Sequence, residues 1–488
     1  MPELSAASIL IQLIEDYHSL NPEGIRKCPY PTSLEFSRQV SRGRPCVYRV
    51  KPEGSPKSSS RQAARALYLD YLKGRSESEE ERAEITASLA FAWTAQSLSA
   101  RVTGKVDVAV TPDGRADSIY SIRKTHSGRY EHRGGDDLGD EKNGRDHGNG
   151  LRNDILTSLS PRSRHSGDKF EQVFLEPASV QMNLSTLLSK LTSITTSTSS
   201  CSSTNPVYYL QSQNSNLTTT ALSPLYDEMP ETIPFAKPVL GEPDAVNLWV
   251  GGDRSITTTH RDPYENLYLV LRGSKTFTLW PPVEEMCLSA KMVTTGKFVL
   301  RGGGGKDGSG HDVDGDGDDT MVDSKGENEG SAFSLFELQL DDDNDDQQRN
   351  GRVGGAGGSD EEKRDEDTEG ACSSSPSQHG RIPWIPIDPS LPRSTLEQLY
   401  PYYRHARPET VTVEAGEMLY LPAGWFHHVR QQCGQWDDGS RAPCVAVNYW
   451  FDMDYEGERY AFHQLITKLV DEVRNSSSQD LRPGGTEL

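Results

Sequence analysis

The stretch Thr257–Phe277 reads TTTHRDPYENLYLVLRGSKTF. It sets His260 and Asp262 one residue apart, then runs through an apolar segment to Gly273 and Lys275. The apolar runs on either side of Gly273 carry β-branched and aromatic residues, a hairpin pattern with the glycine in the turn. Working outward, AVNLWVGG before it and KTFTLWPP after it make Ala245–Pro281 the densest β signal in the chain.

Side chains alternate along a strand, so His260 and Asp262 can point to one side of a strand end. Two neutral imidazoles and one carboxylate on one octahedral face form the non-haem iron site, which leaves its other positions open. His and Asp are common loop residues, so the pair gains meaning from a second histidine brought in by the fold. LPAGWFHHVRQ offers His427 and His428. Neighbouring strand residues face opposite ways, so only one of the two can be a ligand. A zinc site would bring cysteines or a closed fourth ligand, and none lies nearby in the sequence. Lys275 opens the next strand. A buried cation there would pair with the distal carboxylate of a dicarboxylate. By spacing alone it reads as a solvated lysine at a hairpin turn.

The chain has 488 residues, of which 34% are hydrophobic, and a mean hydropathy of −0.66. That is low for a fully folded chain of this length and predicts disordered parts. The net charge of −21 is concentrated, because Gly302–Gly370 holds 22 Asp and Glu against 6 Lys and Arg. An acidic balance of this kind argues against direct nucleic-acid binding, which needs a basic face. Seven cysteines without a CxxC pair fit reduced thiols, and so a cytoplasmic or nuclear protein. MPELSAAS lacks a basic region before an apolar core, and no apolar run is long enough for a membrane span.

Helical spacing marks AASILIQLIEDYHSL, EITASLAFAWTAQSL and YAFHQLITKLVDEV, the last with Phe462, Leu465, Ile466, Leu469 and Val473 on one face. Strands are expected in PCVYRV, KVDVAVTPDGRAD, KFEQVFLEP, PVYYLQSQ, ETVTVEAGEMLYLPAGWFHHV and PCVAVNYWFD. FSLFELQL lies inside the acidic stretch and reads either as a segment that docks locally or as an apolar patch in disorder. DVDGDGDDTMVD, from Asp312, mimics a calcium loop, but Asp323 stands at its twelfth position and no amphipathic helices flank it. Trp425, Phe426, Tyr449 and Trp450 read as core or as pocket lining. Many short strands with few helices predict a mainly β protein with flanking helices, a barrel or sandwich.

HRDPYENLYLVLRGSKTFTLWPP and GEMLYLPAGWFHHVRQ, followed by VAVNYWFD, resemble the JmjC family of iron- and 2-oxoglutarate-dependent oxygenases. The likeness is to its small hydroxylase branch, nearest to lysyl hydroxylases of developmentally regulated GTP-binding proteins. VAVTPDGRAD, YYLQSQNSNL, DAVNLWVGG, PWIPIDP and FHQLITKLVDEV support it. The resemblance implies a double-stranded β-helix (jelly-roll, cupin) barrel and a protein hydroxylase that releases succinate and carbon dioxide. It implies Fe(II) as cofactor with 2-oxoglutarate and O2 as co-substrates. His260, Asp262 and His427 match the iron ligands, which selects the first histidine of the pair. Lys275 matches the residue that grips the 2-oxoglutarate C5 carboxylate, with Thr257 and Tyr209 bonding the same end. Asn266 and Asn448 match polar residues of the site, and Trp450 an aromatic wall. Pro263 departs from the pattern, where a larger side chain is expected, as do two long insertions.

On this reading, residues 1–126 form the N-terminal part of the JmjC fold, and 127–168 a disordered insertion. Residues 169–301 are the first barrel part, 302–380 an acidic disordered insertion, and 381–488 the second barrel part with the C-terminal helix. The implied partner is a protein substrate, a GTP-binding protein by resemblance, with neither nucleic acid nor membrane. The C-terminal helix is the implied homodimer contact. The rival classes are a non-catalytic cupin-like binding protein, a JmjC histone demethylase and a peptidase. The chromatin-reading motifs and zinc fingers of a demethylase and the nucleophile constellation of a peptidase are missing from the sequence.

Overall fold

The computed structural model describes residues 5–50, 89–124, 130–132, 170–193, 205–211, 215–301, 332–341 and 380–479. The calcium-like loop from Asp312 lies outside them, as do most of the two insertions and the Ser/Thr tract.

Eight strands make the barrel, numbered here in chain order: β1 Ala245–Gly251, β2 Ile256–Arg261, β3 Tyr264–Arg272, β4 Ser274–Trp280, β5 Glu409–Glu414, β6 Glu417–Leu421, β7 Phe426–Gln432 and β8 Cys444–Asp452. One sheet runs β6-β3-β8-β1 and the facing sheet runs β5-β4-β7-β2. This alternation of consecutive strands between two sheets is the jelly-roll arrangement. The larger sheet extends to nine strands through N-terminal segments such as Cys46–Arg49, paired to β6, and Val207–Leu210, paired to β1.

Gly273 does not turn a hairpin. β3 pairs with β6 and β8, whereas β4 pairs with β5 and β7. The glycine turns a corner that carries the chain from one sheet to the other. Its φ of 69° and its contact with the next segment explain the residue type, because an added Cβ would lie 2.2 Å from the Gln432 carbonyl oxygen.

The continuous apolar run of β3 follows from burial on both faces. Leu267, Leu269 and Leu271 point outward into a core built with Phe36, Leu98, Leu187 and Leu188 of the helices Ser33–Arg42, Ala95–Arg101 and Leu184–Thr192. Tyr268 and Val270 point into the barrel with Phe277, Leu279 and Ala446. In a separate core the helix Ala6–Leu20 buries Leu10 and Ile14 against the C-terminal helix Glu458–Gln479.

Two helical expectations need correction. The C-terminal helix buries His463, Ile466, Val470 and Val473, while Phe462 and Leu465 are exposed. The spacing i, i+3, i+7, i+10 selects one stripe toward the N-terminal helix, and Phe462 and Leu465 fall beside it. In EITASLAFAWTAQSL the described part is a 3-10 turn, Leu89–Ala92, and a separate helix, Ala95–Arg101. Thr94 breaks the continuity by capping the second helix, its hydroxyl accepting from the Ser97 N–H at 3.1 Å.

A further sheet places Lys291–Leu300 between Phe170–Glu176 and Phe336–Leu340. FELQL of the acidic stretch therefore docks, burying Phe336 and Leu340 against Phe298 and Tyr120. Tyr130–His132 also forms an edge strand, paired with Ile122–Lys124. Two short stretches inside the spans read as disordered are thus strands. Alternating apolar residues let FELQL pair with one face buried. Among the described residues no helix is long and apolar enough to cross a membrane.

Candidate metal centre and co-substrate pocket

β2 and β7 are antiparallel neighbours, and His260 stands directly opposite His427. An irregularity between Thr257 and His260 adjusts the register there. Alternation sends Arg261 the other way, where it donates to Glu285 at 2.8 Å and to the Thr467 hydroxyl of the C-terminal helix at 3.4 Å. His260 and Asp262 are left on the inner side. The Gly424 N–H donates to the Asp262 carbonyl at 2.9 Å, tying this loop to the segment that leads into β7.

The three side chains converge. His260 Nε2 lies 3.7 Å from Asp262 Oδ1, and His427 Nε2 lies 3.6 Å from Oδ2. Their ligand atoms all fall within 4.8 Å of one another, the single such group of His, Cys, Asp and Glu among the described residues. A small cation touching each donor at roughly 2.1 Å fits this triangle with little adjustment. Each imidazole keeps its Nδ1 on a backbone carbonyl, Thr258 at 2.7 Å and Trp425 at 3.2 Å. With Nδ1 as donor, Nε2 presents its lone pair to the centre. Burial, then the neighbouring His260, pushes His427 down to about 4, so it is neutral and able to ligate near pH 7. His428 faces the opposite side, paired with Thr278, and is outside the cluster.

Lys275 stands on β4 opposite Gln431 of β7, while His427 stands opposite Leu279. The lysine is thus four residues deeper along the same strands, roughly 13 Å at strand rise. It is 1% exposed and not the solvated lysine that spacing alone suggested. Its Nζ donates to the Tyr209 hydroxyl at 3.0 Å and lies 5.1 to 5.7 Å from the ring centres of Tyr268, Tyr209 and Trp249. Among the described residues it has no carboxylate partner. A buried cation without a counter-ion is costly, so this end of the barrel fits a small anion.

The remaining expected residues divide. Asn448 accepts from the Trp249 indole at 2.8 Å and donates to Asn266 at 3.4 Å, both asparagines being buried. Trp450 stacks on Tyr264 with ring centres 4.8 Å apart. Thr257 lies on β2 beside Val429 and Ala116, without a side-chain hydrogen bond among the described residues. Pro263 accepts a backbone bond from Met453 at 3.2 Å and leaves the Asp262 carboxylate free for the triad. Sequence reasoning missed Trp249 and Tyr268 as walls of the lysine cage, and Gln431. Alternation from His427 through Val429 to Gln431 was the signal for the last.

A family model for a cupin-like domain matches residues 31–457. The chain belongs to the cupin-like domain family. Relatives of this cupin-like chain include the JmjC domain-containing protein E of Dictyostelium discoideum, 32% identical over 56% of this chain and 61% of that protein. The human bifunctional peptidase and (3S)-lysyl hydroxylase JMJD7 is 31% identical over 54% of this chain and 59% of its own length. The Arabidopsis thaliana lysine-specific demethylase JMJ32 is 30% identical over 54% and 57%. The chain spans about three fifths of the length of these curated relatives. The JmjC resemblance read from the sequence agrees with these names, and the jelly-roll arrangement with the cupin-like family.

Proposed function

We propose that this protein is an iron(II)- and 2-oxoglutarate-dependent protein hydroxylase acting on lysine, with a GTP-binding protein as the favoured substrate. The observation that carries the reading is the pairing of two sites in one barrel. A His-Asp-His group and, four residues further along the same strands, a buried lysine without a carboxylate partner among the described residues share that barrel. Iron, when bound, supplies the oxidation of 2-oxoglutarate to succinate and carbon dioxide, with one oxygen atom passing to the substrate. His260, Asp262 and His427 hold it. Lys275 and Tyr209 take the distal carboxylate, and the aromatic cage keeps water from that pair, which strengthens it. Asn266, Asn448 and Trp450 line the site, and Thr257 supports the distal end.

The lysine preference draws on the printed names of two relatives and on one local feature. Asp117 lies beside the metal strand, its carbonyl accepting from Thr258 at 2.6 Å. Its carboxylate has Gln211 at 3.3 Å as side-chain partner, and burial, then the neighbouring Glu176, pushes it up to about 6. A carboxylate beside the strand that carries His260 is one group a substrate ammonium can pair with. The exposed Phe462 and Leu465 are the residues we assign to a homodimer contact through the C-terminal helix. A Phe462→Glu, Leu465→Glu protein should sediment as a monomer where the parent sediments as a dimer.

Succinate release tests the reaction class. The purified protein with iron(II), ascorbate, 2-oxoglutarate and air should form succinate, and the His260→Ala variant should not. Equal rates in the two would sink the proposal.

A further inference from the structure

Gln431 is 4% exposed, yet among the described residues neither Oε1 nor Nε2 has a hydrogen-bond partner. An amide buried in this way is costly to leave unpaired, so its place needs a reason. It stands opposite Lys275 across the β4–β7 pair, and partners at one register position share a face of the sheet. Its carboxamide packs over Gly251, where an added Cβ would lie 2.1 Å from Nε2 and 2.7 Å from the Tyr209 ring. Tyr209 in turn accepts from Lys275. The amide, the phenol and the ammonium therefore gather at the deep end of the barrel, and glycine at 251 leaves room for the amide.

We propose that Gln431 is a further co-substrate residue, its Nε2–H donating to the distal carboxylate that Lys275 holds. The inference rests on the 2-oxoglutarate reading above. The lysine has three donors, of which Tyr209 takes one, so two remain for the carboxylate and for the Gln431 carbonyl. A neutral amide suits the position. It donates to an anion without adding a second fixed charge, whereas glutamate there would repel a dicarboxylate.

The test is calorimetric titration of the manganese(II)-loaded protein, which binds co-substrate without turnover. The probes are 2-oxoglutarate and 2-oxobutyrate, which keeps the metal-chelating end and lacks the distal carboxylate. Gln431→Leu should weaken 2-oxoglutarate binding about tenfold, equal to about 1.4 kcal/mol, and leave 2-oxobutyrate unchanged. Gln431→Glu, nearly the same shape, should weaken 2-oxoglutarate further, and it carries the test if the leucine variant does not fold. Lys275→Ala serves as the reference. If it loses 2-oxoglutarate affinity while both Gln431 variants keep it, the amide holds a buried water and the inference falls, with the co-substrate reading intact. If Lys275→Ala also binds normally, or the parent protein does not bind 2-oxoglutarate, the co-substrate reading itself falls.

Discussion

His260 and His427 occupy one register position of adjacent antiparallel strands, with ring centres 4.2 Å apart. The His-Asp-His group is therefore built into the sheet pairing and does not depend on a loop finding its place. The adjacent His428, equally buried, is turned away by strand alternation. His427→Ala should abolish stoichiometric binding of manganese(II) or iron(II), and His428→Ala should retain it at some cost in stability. Metal content after equilibrium dialysis reads the difference, and the opposite ranking would reassign the ligand.

Lys275 is caged by Tyr209, Trp249 and Tyr268, so methionine can fill its place without its charge. Charge-assisted bonds in such a site contribute about 1.5 to 3 kcal/mol. Lys275→Met should raise the 2-oxoglutarate KM by roughly ten- to a hundredfold with a smaller change in kcat. An unchanged KM in a folded variant would contradict the role.

Gly273 carries the chain between the two sheets with φ 69° and no room for a Cβ. Gly439 also has positive φ, 84°, but among the described residues nothing lies within 4 Å of an added Cβ. Gly273→Ala should destabilise by roughly 2 to 4 kcal/mol, combining backbone strain with the steric clash. Gly439→Ala should cost about 1 kcal/mol. Urea titration of both proteins compares them, and equal losses would show that the corner tolerates a side chain.

His463 packs the C-terminal helix beside Gly424, and burial, then Arg261 and Arg459, pushes it down to about 4. Unfolded histidine titrates near 6.5, so between these values the unfolded chain holds the extra proton. The resulting stability is present above about pH 6.5 and is lost as pH falls toward 4. His463→Gln should remove up to about 3 kcal/mol of that acid sensitivity. The measurement is the difference in unfolding free energy between variant and parent at pH 7 and pH 4.5, and a constant difference would exclude the effect.

The His-Asp-His cluster was legible because alternation and chemistry coincide: His260 and Asp262 share a face, and a distant histidine pair supplies the third side chain. Spacing did not show which of His427 and His428 faces inward, since that depends on register with β2. It also misjudged Lys275, because a lysine after a glycine turn looks solvated until the turn becomes a corner between sheets. The hairpin expectation failed for the same reason. β3 carries a continuous apolar run and β4 alternating apolar residues whether they pair with each other or with partners from beyond residue 408. FELQL was ambiguous because only the partner strand Lys291–Leu300 decides whether its alternating apolar face is buried.

The most direct measurement of the central claim is mass spectrometry of candidate GTP-binding proteins after incubation with the protein, iron(II), 2-oxoglutarate and oxygen. We expect the gain of one oxygen on a lysine, matched by succinate, without formaldehyde, and lost in Asp262→Ala. Release of formaldehyde with loss of a methyl group, or an oxygen gain that persists in Asp262→Ala, would contradict the account.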